Sequence, residues 1–144
     1  MATDANNVGQ ILKDKGDLES ALRYTRRALA IDEKVYGPDH PEVATDANNI
    51  GLILQDQGDL EGALRYTERA LAIDEKVYGP DDPNVAIYAN NVGQILQAKG
   101  DLEGALRSTQ RAVSIAEKVF APNHPIRRRF TRNLKVIQAK AASA

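Results

Sequence analysis

The stretch ATDANNIGLILQDQGDLEGALRYTERALAIDEKVYGPDDPNV, residues 44–85, is the middle one of three copies of a 42-residue unit. Residues 2–43 agree with it at 34 of 42 positions, and residues 86–127 agree with it at 25. A fixed period of roughly 20 to 50 residues is typical of arrays in which each unit buries its apolar face against its neighbours. We therefore expect the function of this chain on an extended face rather than in an enclosed cleft.

Each unit has the sequence signals of two helices joined by a tight turn. In the middle copy, Gly58 suits the left-handed end of a helix, and Asp59 suits the cap of the helix that follows. A proline at the start of the first helix fits the first turn, which has no use for its N–H. The signals predict one helix over Pro41–Gln57 and a second over Leu60–Tyr78.

Apolar residues recur at steps of three and four in both helices, which predicts one buried stripe on each. On the second helix of the middle copy the stripe comprises Leu60, Ala63, Leu64, Thr67, Ala70, Leu71 and Val77. Glycine recurs in the middle of the first helix, at Gly9, Gly51 and Gly93. Because a mid-helix glycine costs about 1 kcal/mol relative to alanine, its repetition indicates a close approach between helices.

Residues 125–140 align with the first helix of a fourth unit. The stripe that faces the preceding unit stays apolar, with Phe130, Leu134 and Ile137. The stripe that would face a second helix becomes polar, with Thr131, Lys135 and Gln138. Because the end of a stacked array needs a polar outer face, we interpret this segment as a capping helix with the three apolar residues as its core.

The motif of the first unit comprises Val8-Gly9, Leu12, Gly16, Ala21 and Ala28-Leu29. At this spacing it resembles the tetratricopeptide repeat. The 42-residue length, the Asn-Asn pair and the Tyr-Gly-Pro-Asp-His-Pro linker resemble its longer, kinesin-light-chain-like variant. The resemblance implies an all-α fold, a right-handed α-solenoid of three helix-turn-helix repeats plus a C-terminal capping helix, about seven helices in all. It divides one domain, 1–144, into repeats at about 2–43, 44–85 and 86–127 and a capping helix at about 125–140.

Composition and motifs argue against several classes of protein. The chain has no cysteine, which excludes a disulfide framework and any thiolate chemistry. It carries no nucleophile motif, phosphate loop or zinc spacing, so we expect no enzyme, cofactor or metal site. His40 and His124 lie two units apart and are expected to order the linkers. Without a leader segment or a long apolar run, the chain is predicted to be cytoplasmic.

Charge is segregated along the chain. Residues 122–144 carry six basic and no acidic residues, which leaves 13 basic and 20 acidic residues, a net of −7, in residues 1–121. A basic cluster attracts phosphate. However, the acidic body and the lack of an aromatic platform beside the arginines favour neither nucleic acid nor membrane as a partner. We interpret the basic segment as a solubilising face of the capping helix.

Asparagines in mid-helix are the sharpest binding candidates, because asparagine is only a middling helix former. They are Asn6, Asn7, Asn48, Asn49, Asn90, Asn91 and Asn133. A side-chain amide can both donate to and accept from a peptide backbone. The resemblance implies that the second asparagine of each pair (Asn7, Asn49, Asn91) and Asn133 line a concave groove beside Gln10, Gln55, Gln94 and Gln97. The alternative is that one asparagine of each pair links neighbouring helices.

Two functions from different classes remain open at this stage. The first is a protein-interaction scaffold whose concave face, lined by the first helix of each repeat, binds a peptide or helical segment of a partner protein. The second is a structural array that associates with itself, by head-to-tail stacking or by exchange of hairpins, and has no dedicated ligand. The partner would be a protein or peptide in the first case and another copy of the chain, in a homo-oligomer, in the second.

Overall fold

Six α-helices joined by short turns lie within residues 16–143, which are the residues that the computed structural model describes. They are α1 (Leu18–Tyr36), α2 (Pro41–Asp56), α3 (Leu60–Tyr78), α4 (Pro83–Lys99), α5 (Leu102–Val119) and α6 (Pro125–Ser143). The described part of the chain contains no β-strand, so the all-α prediction is confirmed. The first helix of the first repeat, expected before residue 16, lies outside the described residues.

The turn within each repeat follows the Gly-Asp signal. Gly100 follows α4 with φ 88° and ψ 4°, a left-handed conformation that only glycine adopts readily. The side chain of Asp101 then accepts a hydrogen bond from the backbone N–H of Gly104 at 2.9 Å. Asp59 caps α3 in the same way, at 3.0 Å from the N–H of Gly62. Each aspartate thus satisfies an N–H that has no partner within its helix.

The two histidines order the linkers between repeats. The ring nitrogen Nδ1 of His40 accepts from the backbone N–H of Glu42 at 3.1 Å and so caps α2. The His40 ring also stacks on Tyr36, with 4.2 Å between ring centroids. His124 caps α6 at the same distance and stacks on Phe120 at 4.3 Å. Both histidines therefore act as helix caps packed on the aromatic residue that closes the preceding helix.

The chain divides into two compact units, with the boundary between Ile73 and Asp74, inside α3. The first unit contains α1, α2 and the first part of α3, and its core includes Ala21, Ala28, Leu29, Val43, Ala47, Ile50, Ile53, Leu54, Ala63 and Ala70. Gly51 of α2 lies directly against Thr67 of α3, and a Cβ added to the glycine would collide with the threonine Oγ1. This is the close helix approach that the mid-helix glycines predict.

The second unit contains α4, α5, α6 and the end of α3. Gly93 of α4 lies against Thr109 of α5, in the same arrangement as Gly51 and Thr67. The core of this unit includes Val85, Tyr88, Val92, Ile95, Ala105, Ala112, Ile115, Phe130 and Ile137. On α6, Phe130 and Ile137 are fully buried, whereas Leu134 is only half-buried. The extent of the single domain expected over 1–144 stays a prediction.

One detail of the apolar pattern is wrong. The spacing places Val77 on the buried stripe of α3, but Val77 is 47% exposed, and Val35 and Val119 at the equivalent positions are exposed too. All three lie at the last turn of a long second helix. There the helix extends beyond the side chains that cover its central turns, so the stripe ends before the helix does.

Candidate functional site

The asparagines of each pair differ in their exposure. Asn90 on α4 is buried, with 4 % of its surface exposed, whereas its neighbour Asn91 is half-buried. On α2, Asn48 and Asn49 are both half-buried. Asn6, Asn7 and Gln10, which belong to the same predicted set, lie outside the described residues. The second asparagines, Asn49 and Asn91, are therefore within reach of solvent in their own units.

Asn90 and Asn133 are brought together by the fold of the second unit. The side-chain Nδ2 of Asn133 on α6 donates a hydrogen bond to Oδ1 of Asn90 on α4, with 3.1 Å between the two atoms. Because Asn90 is buried, this bond satisfies an oxygen that water does not reach. The pair links the first helices of two successive repeats, which is the structural role that the sequence left open. The side-chain amide of Asn133, which the sequence predicted to contact a ligand, thus bonds α6 to α4.

The predicted glutamines accompany the second asparagines. Gln94 and Gln97 follow Asn91 on α4 at steps of three residues, and all three side chains are half-buried. Gln55 lies six residues beyond Asn49 on α2 and is also half-buried. Each of these side chains carries two donors and an acceptor, and none carries a charge. Such a face can pair with peptide N–H and C=O groups without selecting for the charge of the ligand.

A buried pair of carboxyl groups lies between α1 and α2, and the repeat pattern and motifs did not predict it. Asp32 and Asp46 are 7 % and 1 % exposed, and they share a side-chain hydrogen bond. Burial, the hydrogen bond to Asp32, the charge of Asp32 and that of Glu42 raise the pKa of Asp46 to about 8, burial being the largest cause. Since two carboxylates cannot bond without a proton, Asp46 is the group that holds it. The signal was available: the period aligns Asp46 with Tyr88 and Phe130, both of them buried.

Asp74 is a second buried carboxyl group, equivalent by the period to Asp32. Its burial, helped by the charge of Asp82, raises its pKa to about 6, and a hydrogen bond with Asn84 opposes that shift. Perturbed carboxyl groups can mark catalytic sites. Asp46 and Asp74 are each only 1 % exposed, so no substrate reaches them, and each has one oxygen without a hydrogen-bond partner among the described residues. We therefore assign both carboxyl groups to the interior of their units. Within residues 16–143 no cluster of ligands suits a metal ion.

Comparison with known proteins places the chain in a family. The family model described as Tetratricopeptide repeat matches residues 1–76 and 46–118. Together the two matches cover most of the chain, which therefore belongs to the tetratricopeptide repeat family. Arrays of this family generally serve as scaffolds for protein–protein interaction. No curated protein sequence matches the chain.

Solved structures share the fold at low sequence identity. BtubC (BKLC) from P. vanneervenii superposes with a TM-score of 0.91 at 21% identity, over 98% of this chain and 56% of that one. A putative kinesin light chain from P. anserina, with nearly identical TPR-like repeats, gives 0.86 at 19% identity, over 94% and 64%. The N-terminal domain of stress-induced protein-1 from C. elegans gives 0.69 at 17% identity, over 95% and 94%.

These likenesses establish the fold as an all-α solenoid of tetratricopeptide type, with neighbours of the kinesin-light-chain kind. The chain spans 56% and 64% of the length of the first two structures, so it corresponds to a part of each. None of the helices in the described residues has the length and apolar character needed to cross a membrane.

Proposed function

We propose that this chain is a protein-interaction scaffold that binds a peptide or helical segment of a partner protein on the concave side of its first helices. The residues that contact the ligand are Asn49 and Gln55 on α2, and Asn91, Gln94 and Gln97 on α4. We propose further that the protein is cytoplasmic and that the ligand pairs with these amides through its backbone.

One observation carries this proposal: the two asparagines of the third repeat have different environments. Asn90 is buried and bonded to Asn133, so it serves the fold. Asn91 is half-buried and so is reachable from solvent. A second mid-helix asparagine adds little to helix stability, because asparagine is a middling helix former. The presence of Asn91 beside the buried Asn90 is accounted for if Asn91 serves a ligand.

The test is a comparison of two asparagine variants after a binding peptide has been selected from a displayed random library. The double variant Asn49→Ala/Asn91→Ala should lose at least about tenfold in affinity, since each lost amide pairing is worth about 1 kcal/mol. Its melting temperature should stay close to that of the wild type. Asn90→Ala is the matched control, which should melt earlier because it removes a buried hydrogen bond.

Two results would reject the proposal. If Asn49→Ala/Asn91→Ala bound the selected peptide as tightly as the wild type, the inner face would not be the binding site. If that variant lost its helical structure or melted as early as Asn90→Ala, the second asparagines would be structural. Both results are read from isothermal titration and circular dichroism on the same samples.

The self-associating array is the rival function, and the packing of the repeats disfavours one form of it. Adding a hairpin to α6 with the geometry that α5 has on α4 requires a glycine at the crossing point, because Gly93 lies against Thr109 there. The equivalent residue on α6 is Lys135, whose side chain would occupy the place of the incoming helix. We therefore expect no association by stacking on α6, and light scattering across a wide range of concentration measures it. Association that grows with concentration would revive the rival.

A further inference from the structure

The outward face of α6 differs from the face of α4 at the same four positions. On α4 these positions are filled by Ala86, Ala89, Asn90 and Gly93, all buried. On α6 they are filled by Arg128, Thr131, Arg132 and Lys135, none of which is buried. At steps of three and four residues, these four side chains form one stripe of the helix. We call Arg128, Arg132 and Lys135 the cationic face.

The cationic face lines a pocket of about 390 Å³ together with Thr131 and with Glu117, Pro122 and Arg127. Arg127 is held inside this pocket by two partners. Its Nη1 donates to the carbonyl oxygen of Phe120 at 3.2 Å, and its Nη2 lies 3.9 Å from a carboxylate oxygen of Glu117. Within residues 16–143, none of the three cations of the cationic face has a hydrogen bond or an ion pair.

The place of Glu117 in the repeat explains why a pocket exists there. The equivalent Glu75 on α3 is paired with Arg111 of α5 at 2.7 Å, and Glu33 on α1 is paired with Arg69 of α3 at 3.3 Å. In both cases the arginine belongs to the second helix of the next repeat. No such helix follows Glu117 among the described residues, and Arg127 takes the glutamate instead. The pocket therefore lies where a further second helix would pack.

The chemistry of the pocket decides what can occupy it. A helix of the repeat type is excluded by Lys135, which stands where glycine is needed for the crossing. An apolar segment is disfavoured because it would cover three cations without supplying a counter-charge. Carboxylates suit the site best, since the planar guanidinium groups of Arg128 and Arg132 match their geometry in paired hydrogen bonds. Charge complementarity therefore points to an acidic occupant.

The spacing of the three cations matches a short acidic peptide. Along a helix, Arg132 lies about 6 Å and Lys135 about 10 Å beyond Arg128. In an extended chain, side chains on alternate residues point the same way and stand about 7 Å apart. Two carboxylates on alternate residues can thus reach Arg128 and Arg132 together, and a further acidic residue can reach Lys135.

Nucleic acid and anionic membrane fit the same cations less well. Phe130, the aromatic residue of α6, is fully buried, so no ring is offered to a base. The first 121 residues carry a net charge of −7, which repels the many phosphates of a duplex or a lipid surface more strongly than it repels a short peptide. A peptide of a few residues covers the face alone and avoids this repulsion.

We infer that the cationic face of α6 binds a carboxylate-rich segment of a partner protein, with acidic side chains on alternate residues. This surface is separate from the proposed peptide-binding face on α2 and α4. It uses ion pairs where that face uses amides, so its binding should weaken steeply with salt.

The experiment measures fluorescence anisotropy of a labelled peptide of alternating Glu and Ser, about eight residues long, titrated with the full chain at low salt. A peptide of alternating Gln and Ser is the ligand control.

Arg128→Gln/Lys135→Gln removes two charges from the cationic face, and Arg129→Gln/Lys140→Gln removes two from the same helix outside the pocket lining. The first variant should lose at least about tenfold in affinity, and the second less than about threefold. All four side chains are exposed, so Arg128→Gln/Lys135→Gln should keep the wild-type melting temperature, and the control variant should lose only the contact of Arg129 with the Phe130 ring.

The remaining measurements distinguish an acidic peptide from the other possible ligands of the cationic face, and this inference from the proposed function. Equal losses in the two charge variants, or equal binding of the Gln peptide, would overturn the inference. Tighter binding to a DNA duplex or to phosphatidylserine vesicles, lost in Arg128→Gln/Lys135→Gln, would also overturn it in favour of a phosphate ligand. Association of the chain with itself at low salt, lost in that variant, would assign the face to a second copy. The Asn49→Ala/Asn91→Ala variant should bind the Glu peptide like the wild type, whatever the fate of the inner face.

Discussion

Helices α4 and α6 hold equivalent places in successive repeats, and they differ in which of their faces is covered. On the face toward the preceding repeat they agree, since Tyr88, Val92 and Ile95 of α4 become Phe130, Leu134 and Ile137 of α6. On the other face α4 is covered by α5, and it carries small residues that let the two helices touch. The same face of α6 carries long cations. The type of residue at each position of this repeat therefore depends on whether another helix packs against the face on which it lies.

A second difference along the period concerns the interior. The position of Asp46 is taken by Tyr88 in the next repeat and by Phe130 in the helix after it, and all three side chains are buried. The position of its partner Asp32 is taken by Asp74 and then by Ala116. The positions of Asp32 and Asp46 in the first unit are therefore taken by Ala116 and Phe130 two repeats later. Repeats that look nearly identical thus bury very different chemistry.

The largest effect on stability is expected when α4 receives the residue that α6 carries at the equivalent position. Gly93→Lys should lower the free energy of unfolding by about 3 kcal/mol or more, because the lysine collides with Thr109 and its charge is buried. Gly93→Ala should lose less, and Thr109→Ala in the same chain should restore part of the loss by removing the colliding atom. Urea unfolding measures all three.

The control for that prediction lies on α6. Lys135→Ala should change the free energy of unfolding by less than about 0.5 kcal/mol, because the side chain is exposed. If Gly93→Lys proved as stable as Lys135→Ala, the close helix crossing would not be what requires the glycine.

The next largest effect should come from pH, through the carboxyl pair of the first unit. The pKa of Asp46 is raised from its ordinary value of 3.8 to about 8, so the folded chain binds a proton that the unfolded chain releases within that range. Stability should therefore fall as pH rises from about 4 to 8, by at most about 1.4 kcal/mol per pH unit for this group. Asp74, whose pKa is raised from 3.8 to about 6, adds to this loss of stability in the part of the range below about pH 6.

Asp46→Asn sharpens this prediction because the amide can still donate to Asp32 but does not titrate. It should remove much of the pH dependence and be more stable than the wild type at pH 8, by on the order of 2 kcal/mol. Urea unfolding at several pH values between 5 and 8 measures both. A profile for Asp46→Asn that parallels the wild type would mean that the pair is not the origin of the slope.

The smallest effect concerns the bond between Asn133 and Asn90. Asn133→Ala leaves the buried Oδ1 of Asn90 without its donor and should cost about 1 kcal/mol. Arg132→Ala is the matched change at the position equivalent to Asn90, but on the exposed face of α6, and it should cost less than about 0.5 kcal/mol. Thermal melting of the two variants compares them directly, and equal melting temperatures would show that the asparagine bond adds nothing to stability.

Much of the fold was predictable because its signals are local and occur three times. The Gly-Asp turns, the linker caps and the glycines of the helix crossings each have one strong physical reason, and the structure has them where the sequence indicates. The carboxyl pair was not predicted because an aspartate is ordinarily expected on the solvent-exposed surface. Only a comparison of its position with the other copies of the repeat indicates that it is buried. The exposure of Val77 was not predicted because the spacing of apolar residues carries no information on how far a neighbouring helix extends.

The sequence alone predicts the repeat, the helices and most of each buried stripe, because turn chemistry and periodicity act within one unit. Only the tertiary structure shows that Asn90 is buried and paired with a residue 43 positions away. Only the tertiary structure brought Asp32 against Asp46 and left the three cations of the cationic face without partners among the described residues. The reason is that burial and charge pairing depend on which helix covers a face, and that helix belongs to a different part of the chain.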